Sequence, residues 1–263
     1  MILKNICLIG NSHAGCFVRG WNATAKLYPD VSVRFYADAG QYFDKLFVSP
    51  NKKFLEVGDP EIKERWQRRT GDGGAISLEN IDVFLIVGAV KWWQGIDRRA
   101  YSQQVVDAAT CGFFERTKGY GLAQEIRSAS EAPIYLTHVP FPALRREYFA
   151  NSAMGYQSEV HRINTSLLKA MNAELLEQPK LSYSDVLQSK LKFAVGYRRA
   201  RGGKLDKKED LDVIDDLWHM NKAYGALFWR EILGKLGVVP NDANYALPAP
   251  DGHLDFDVKE KQG

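Results

Sequence analysis

A chain of 263 residues with 45% hydrophobic and 25% charged side chains can bury one substantial core, which excludes wholesale disorder. Its net charge of +3 is small for this length and does not argue for nucleic acid or a membrane surface as a partner, and neither nucleic acid nor a membrane span is expected. Three cysteines (Cys7, Cys16 and Cys111) make neither a metal-binding spacing nor a disulfide ladder, and Cys7 and Cys16, in apolar segments, are expected to be buried, reduced thiols.

The apolar run Ile6-Cys7-Leu8-Ile9 stops at Gly10-Asn11-Ser12-His13-Ala14-Gly15, and a helical pattern covers Cys16 to Leu27. This predicts a buried strand, a tight turn and a helix, with Ser12 at the strand's C-terminal end, where ligands bind in open α/β sheets. Serine is also a common helix N-cap, so Ser12 alone does not identify a nucleophile. The run before Gly10 is too short for the apolar core of a signal peptide. No stretch approaches the roughly 20 apolar residues of a membrane span. The expectation is a cytoplasmic protein with no membrane span.

Further strands are expected at Val31–Tyr36, Asp82–Val87, Ile134–His138 and, more weakly, Glu174–Glu177. Short β-rich runs separated by helical patterns indicate repeated βα units and a parallel sheet with helices on both faces. No GxGxxG follows the first strand, so no dinucleotide cofactor is expected. Residues 45–57, with a turn at Ser49-Pro50-Asn51-Lys52, read as an inserted β-hairpin. Pro60–Arg69, with Trp66 embedded, reads as a short surface helix. From Asp97 to Ser128 the chain is helix-compatible, and Gly112, Gly119 and Gly121 are expected to divide it. Pro140 and Pro142 stiffen the loop after the fourth strand, where His138 is either a pocket residue or a satisfied structural histidine.

A helix is expected over Ser152–Ala173. Residues 190–208 hold the one basic cluster, either a solvated loop or a collar for an anionic substrate. Near the C-terminus, Asp215-Asp216-Leu217-Trp218-His219-Met220-Asn221 leads into an amphipathic segment, Met220 to Leu236. The domain expected is 1–239, followed by an extended tail, 240–263.

Gly10-Asn11-Ser12 near one end and Asp216-x-x-His219 near the other resemble the first and last blocks of the SGNH (GDSL-like) hydrolase superfamily. That family's first block is usually Gly-Asp-Ser. Its second block, a glycine after the second strand, is matched by Gly40. Its third, Gly-x-Asn after the third strand, is matched at Gly88, but Val90 stands where the asparagine belongs. The resemblance implies a three-layer α/β/α sandwich around a mostly parallel five-stranded, flavodoxin-like sheet. It also implies a triad in which Ser12 attacks an acyl carbonyl, His219 takes the proton and Asp216 orients the imidazole. Asp215 is one residue off that spacing. The oxyanion hole would use Ser12, Gly40 and the region of Gly88, with Lys91, Gln94, Asn11 or His13 as stand-ins for the missing donor. His13, Trp92, Trp93 and Trp218 are candidate substrate contacts, although core packing is the commoner role of a tryptophan.

The function expected is hydrolysis of an O-acyl ester, acetyl included, on a carbohydrate or small metabolite, with no metal. Acyl transfer to a sugar hydroxyl and a catalytically impaired binding module are the alternatives, since fold does not set reaction subtype.

Overall fold

The computed structural model describes residues 4–38, 42–70, 73–91, 100–143, 153–194, 200–201, 204–205, 219–242 and 244–249. A parallel sheet at the centre comprises β1 (Lys4–Gly10), β2 (Val31–Ala37), β6 (Val83–Val90), β7 (Ile134–His138) and β8 (Ala173–Leu176), in the order β2-β1-β6-β7-β8. The order reverses between β1 and β6, and the ends of these two strands frame the crevice where such sheets bind ligands. β6 is buried at every residue, as expected of a strand covered on both faces.

Two apolar layers flank the sheet. Ile6 and Leu8 of β1 pack with α1 (Ala14–Thr24) and α6 (Lys222–Lys235). Cys7 and Ile9 point to the other face, toward residues of α2 (Pro60–Thr70), α3 (Gln103–Glu115), α4 (Lys118–Arg127) and α5 (Ala153–Ile163). This alternation is the two-residue period of a strand. Burial pushes the Cys7 and Cys16 thiols up to about 12, which leaves both inert as nucleophiles.

The insertion forms a small antiparallel sheet of β3 (Leu46–Val48), β4 (Phe54–Val57) and a short third strand, β5 (Ile76–Ser77). Trp66 is fully buried and packs edge-on against Tyr36 and Tyr42, so α2 is bolted to the sheet by its one tryptophan. The third central strand runs to Val90 rather than stopping at Val87. It passes through Gly88 at φ +75° with a shift of register against β7. The break between α3 and α4 falls at Arg116-Thr117 and not at a glycine. Thr117 caps α4 by accepting from Tyr120 N–H, and its own hydroxyl donates to Phe114 O. Gly119 has a different purpose: a Cβ there would lie 2.7 Å from Val90 Cγ2, so its absence lets α4 settle on β6.

The expected helix over Ser152–Ala173 ends as α5 at Ile163, then relaxes through a π-turn (Asn164–Leu168) and a 3₁₀ turn (Lys169–Met171) into β8. Asn172, at φ 46°, takes the left-handed conformation that turns the chain into the strand. Within the basic segment, Ala200–Arg201 (β9) and Lys204–Leu205 (β10) pair antiparallel. Its residues 195–199, 202–203 and 206–208 lie outside the described residues, as does the tail beyond 249.

Candidate active site

The turn after β1 is built by three residues acting on one another. A Cβ on Gly10 would lie 2.6 Å from the Ala14 side chain, so glycine is what lets α1 fold back so close to the strand. The Asn11 N–H donates to Val87 O at 3.3 Å. Its side-chain amide donates to Gly88 O at 2.8 Å, and its amide oxygen accepts from His13 N–H at 3.0 Å. Asn11 thus laces the ends of β1 and β6 together across the crevice. An ionised aspartate could accept from His13 but could not donate to Gly88 O. That requirement gives a physical reason for asparagine rather than aspartate at position 11. A Cβ on Gly88 would fall 2.2 Å from the Asn11 amide oxygen, so Gly88 supplies both the positive φ and the space.

This scaffold holds Ser12 on the outside of the turn, with an exposed side chain. Its N–H donates to no acceptor among the described residues. His219 comes from the other end of the chain, and its Nε2 lies 3.0 Å from Ser12 Oγ. The hydroxyl donates to Nε2 when the imidazole carries its proton on Nδ1. The His13 ring stacks on the His219 ring, with centroids 4.6 Å apart and planes inclined by 20°.

The approach of Ser12 and His219 is set by the helices behind them. Asn221, fully buried, caps α6 by accepting from Ala223 and Tyr224 N–H. The Asn221 backbone N–H donates to Phe193 O, and its side-chain amide donates to Lys192 O. The Arg19 guanidinium on α1 donates to Met220 O at 3.3 Å. Farther along, the α1 and α6 backbones touch. A Cβ on Gly20 would lie 2.4 Å from Gly225 C, and one on Gly225 would lie 1.9 Å from Cys16 O. The Trp229 indole N–H donates to Phe17 O at 2.8 Å, closing the same seam one turn on. The first turns of α6 are buried nearly all round, so this helix belongs to the core more than the expected amphipathic pattern suggested.

Gly40 lies outside the described residues, but the described residues on either side of it are pinned to β1. The Asp38 N–H donates to Gly10 O at 3.1 Å, while its buried carboxylate takes the Arg65 guanidinium at 2.8 Å. The Tyr42 hydroxyl, 2.8 Å from Gly10 O and 3.0 Å from Tyr36 O, donates between the two carbonyls. Val90 is buried and packs toward α4. A donor in its place would point into the core, because β6 continues through this position. Of the suggested stand-ins, the Asn11 side chain laces the two strands and the His13 ring stacks on His219. Lys91 is exposed at the strand's end, and Gln94 lies outside the described residues. So do Trp92, Trp93, Asp215, Asp216 and Trp218.

His138 belongs to a buried network and not to the pocket. Its Nδ1–H donates to Val139 O, and its Nε2 accepts from the Tyr156 hydroxyl at 2.8 Å. That hydroxyl accepts from Gln178 N–H in turn. Burial lowers the His138 pKa from 6.5 to about 4. Between these values the unfolded chain binds a proton that the folded chain refuses, so stability falls as pH drops through this window. The loss reaches roughly 3 kcal/mol, at about 1.4 kcal/mol per unit of pKa. Urea titrations should therefore show the stability deficit of His138→Asn relative to wild type shrinking by up to that amount between pH 7 and pH 4. A deficit independent of pH would contradict it.

Sequence reasoning gave no role to Gly20, Gly225, Arg19, Asp38, Arg65 or Tyr42. Asn221 carried a readable signal, as an asparagine directly before a helix. The others act through partners remote in the chain.

No family model and no curated protein matches this chain. The chain is similar to a solved structure, the periplasmic domain of a lipopolysaccharide acetyltransferase from Salmonella ser. Paratyphi A. The TM-score is 0.42 and the identity 16%, covering 89% of this chain and 83% of that one. Among the described residues no group of three His, Cys, Asp or Glu side chains could hold a metal ion, and no helix is long and apolar enough to cross a membrane.

Proposed function

We propose that this chain is an SGNH-like serine ester hydrolase that cleaves an O-acyl ester, acetyl included, on a carbohydrate or small metabolite. The observation that carries the proposal is the 3.0 Å contact between an exposed serine hydroxyl and an imidazole from the far end of the chain, at the crevice of a parallel sheet. Ser12 Oγ attacks the acyl carbon while His219 Nε2 takes its proton. The resulting oxyanion is held by the Ser12 and Gly40 N–H groups. Collapse breaks the ester C–O bond, and His219 returns the proton to the leaving alcohol. Water, deprotonated by His219, then attacks the acyl-serine and frees the acid. Asp216 is assigned to hold the Nδ1–H edge of His219.

A fluorophosphonate probe, which modifies only activated serines, tests this directly. Wild type should be labelled at Ser12, located by mass spectrometry, and both Ser12→Ala and His219→Ala should escape. A folded wild type that takes no label at Ser12 would end the hydrolytic reading. If labelling holds, acyl esters assayed with and without sugar acceptors separate hydrolysis from transfer.

A further inference from the structure

From the ring contact beside Ser12 we infer that His13 is a positioning residue, which fixes the ring plane of His219 so that Nε2 faces the Ser12 hydroxyl. The inference rests on the serine–histidine pair proposed above and assigns a part that the triad leaves unfilled. The torsion between Cβ and the ring of a histidine is broad, because it joins a tetrahedral carbon to a planar one. Rotation about it carries Nε2 off the line to the serine and brings a C–H edge in its place. A carboxylate at Nδ1 holds the ring by its edge and selects a tautomer, but it leaves the plane free to tilt about that hydrogen bond. A second ring lying 4.6 Å away and nearly parallel restrains the tilt by packing against a face. His13 is suited to this because the backbone presenting it is itself held. Its N–H is bound to the Asn11 side chain, and it stands at the N-cap of α1, whose seam with α6 also places His219. The same turn therefore carries the nucleophile and the surface against which its base is aligned.

The test compares His13→Ala with His13→Phe, which keeps a flat ring without hydrogen-bonding groups. On an acyl ester, His13→Ala should lower kcat about threefold to tenfold, the range set by one aromatic pair, with KM moved less than twofold. His13→Phe should recover most of the loss. The rate of fluorophosphonate modification of Ser12 should follow the same order. Histidine NMR gives a readout independent of turnover: the ring protons of His219 should carry a ring-current shift that His13→Ala abolishes. A change confined to KM would make His13 a substrate contact and overturn the inference. A kcat loss that phenylalanine does not recover would overturn it too, as would absence of the ring-current shift. A shift that depends on His13 in a protein whose Ser12 takes no probe would support the stack and sink only the hydrolytic reading.

Discussion

Replacing His219 by alanine should lower kcat for ester hydrolysis by about 10⁴- to 10⁶-fold, with KM held within a few fold, and Ser12→Ala should do the same. The two losses should not add. Once the hydroxyl has no base 3.0 Å away it is an ordinary alcohol, and once the hydroxyl is gone the base has no proton to take. The double variant should therefore be about as slow as either single one. Additive losses would mean that the groups act on separate steps and would overturn the pairing. Residual turnover would come from binding and from backbone donors at the turn. Asp216→Ala, which removes the carboxylate proposed to orient His219, should cost about 10⁴-fold and exceed Asp215→Ala. The reverse order would move the orienting part to Asp215. Wild type and variants should be compared at matched fold content, by circular dichroism and thermal melting.

The second large effect is structural. Gly225→Ala should destabilise the protein by about 2–4 kcal/mol and slow the modification of Ser12 in the protein that remains folded. Two terms oppose each other. Alanine is the better helix former, by about 1 kcal/mol. Against that, the new Cβ would sit 1.9 Å from Cys16 O, a backbone atom that no rotamer change can move aside. The helices must part, and the seam that sets the Ser12–His219 distance parts with them. Gly234→Ala is the internal control, being the same change in the same helix with nothing within 4 Å of the added carbon. It should be neutral or stabilising by up to about 1 kcal/mol. Urea midpoints for the two variants decide the matter, and equal stabilities would refute the backbone-contact account of the α1–α6 seam.

What was legible in the sequence was local. Ile6-Cys7-Leu8-Ile9 is a strand because it is apolar on both faces, and the turn at Gly10-Asn11-Ser12 follows because glycine and asparagine suit it. Alternation of such runs with helical patterns was enough to assign a parallel sheet with helices on both faces; the resemblance implied five strands, and the sheet has five. Asn221 carried a local signal because a cap acts within three residues, although the expected segment began one residue before it, at Met220.

Tertiary structure decided whatever depends on two remote segments. Val83 onward runs to Val90 because α4, relieved of a side chain at Gly119, covers the strand to its end. Val90 therefore faces the core, a direction that the Gly-x-Asn spacing could not disclose. His138 titrates as a core residue because Tyr156 and Gln178 close around it. Gly20 and Gly225, and likewise His13 and His219, look like unrelated residues some 200 positions apart. Composition and periodicity report which side chains prefer burial and with what local rhythm. They carry no information on which two buried backbones meet, and in this protein it is that meeting which brings His219 to Ser12.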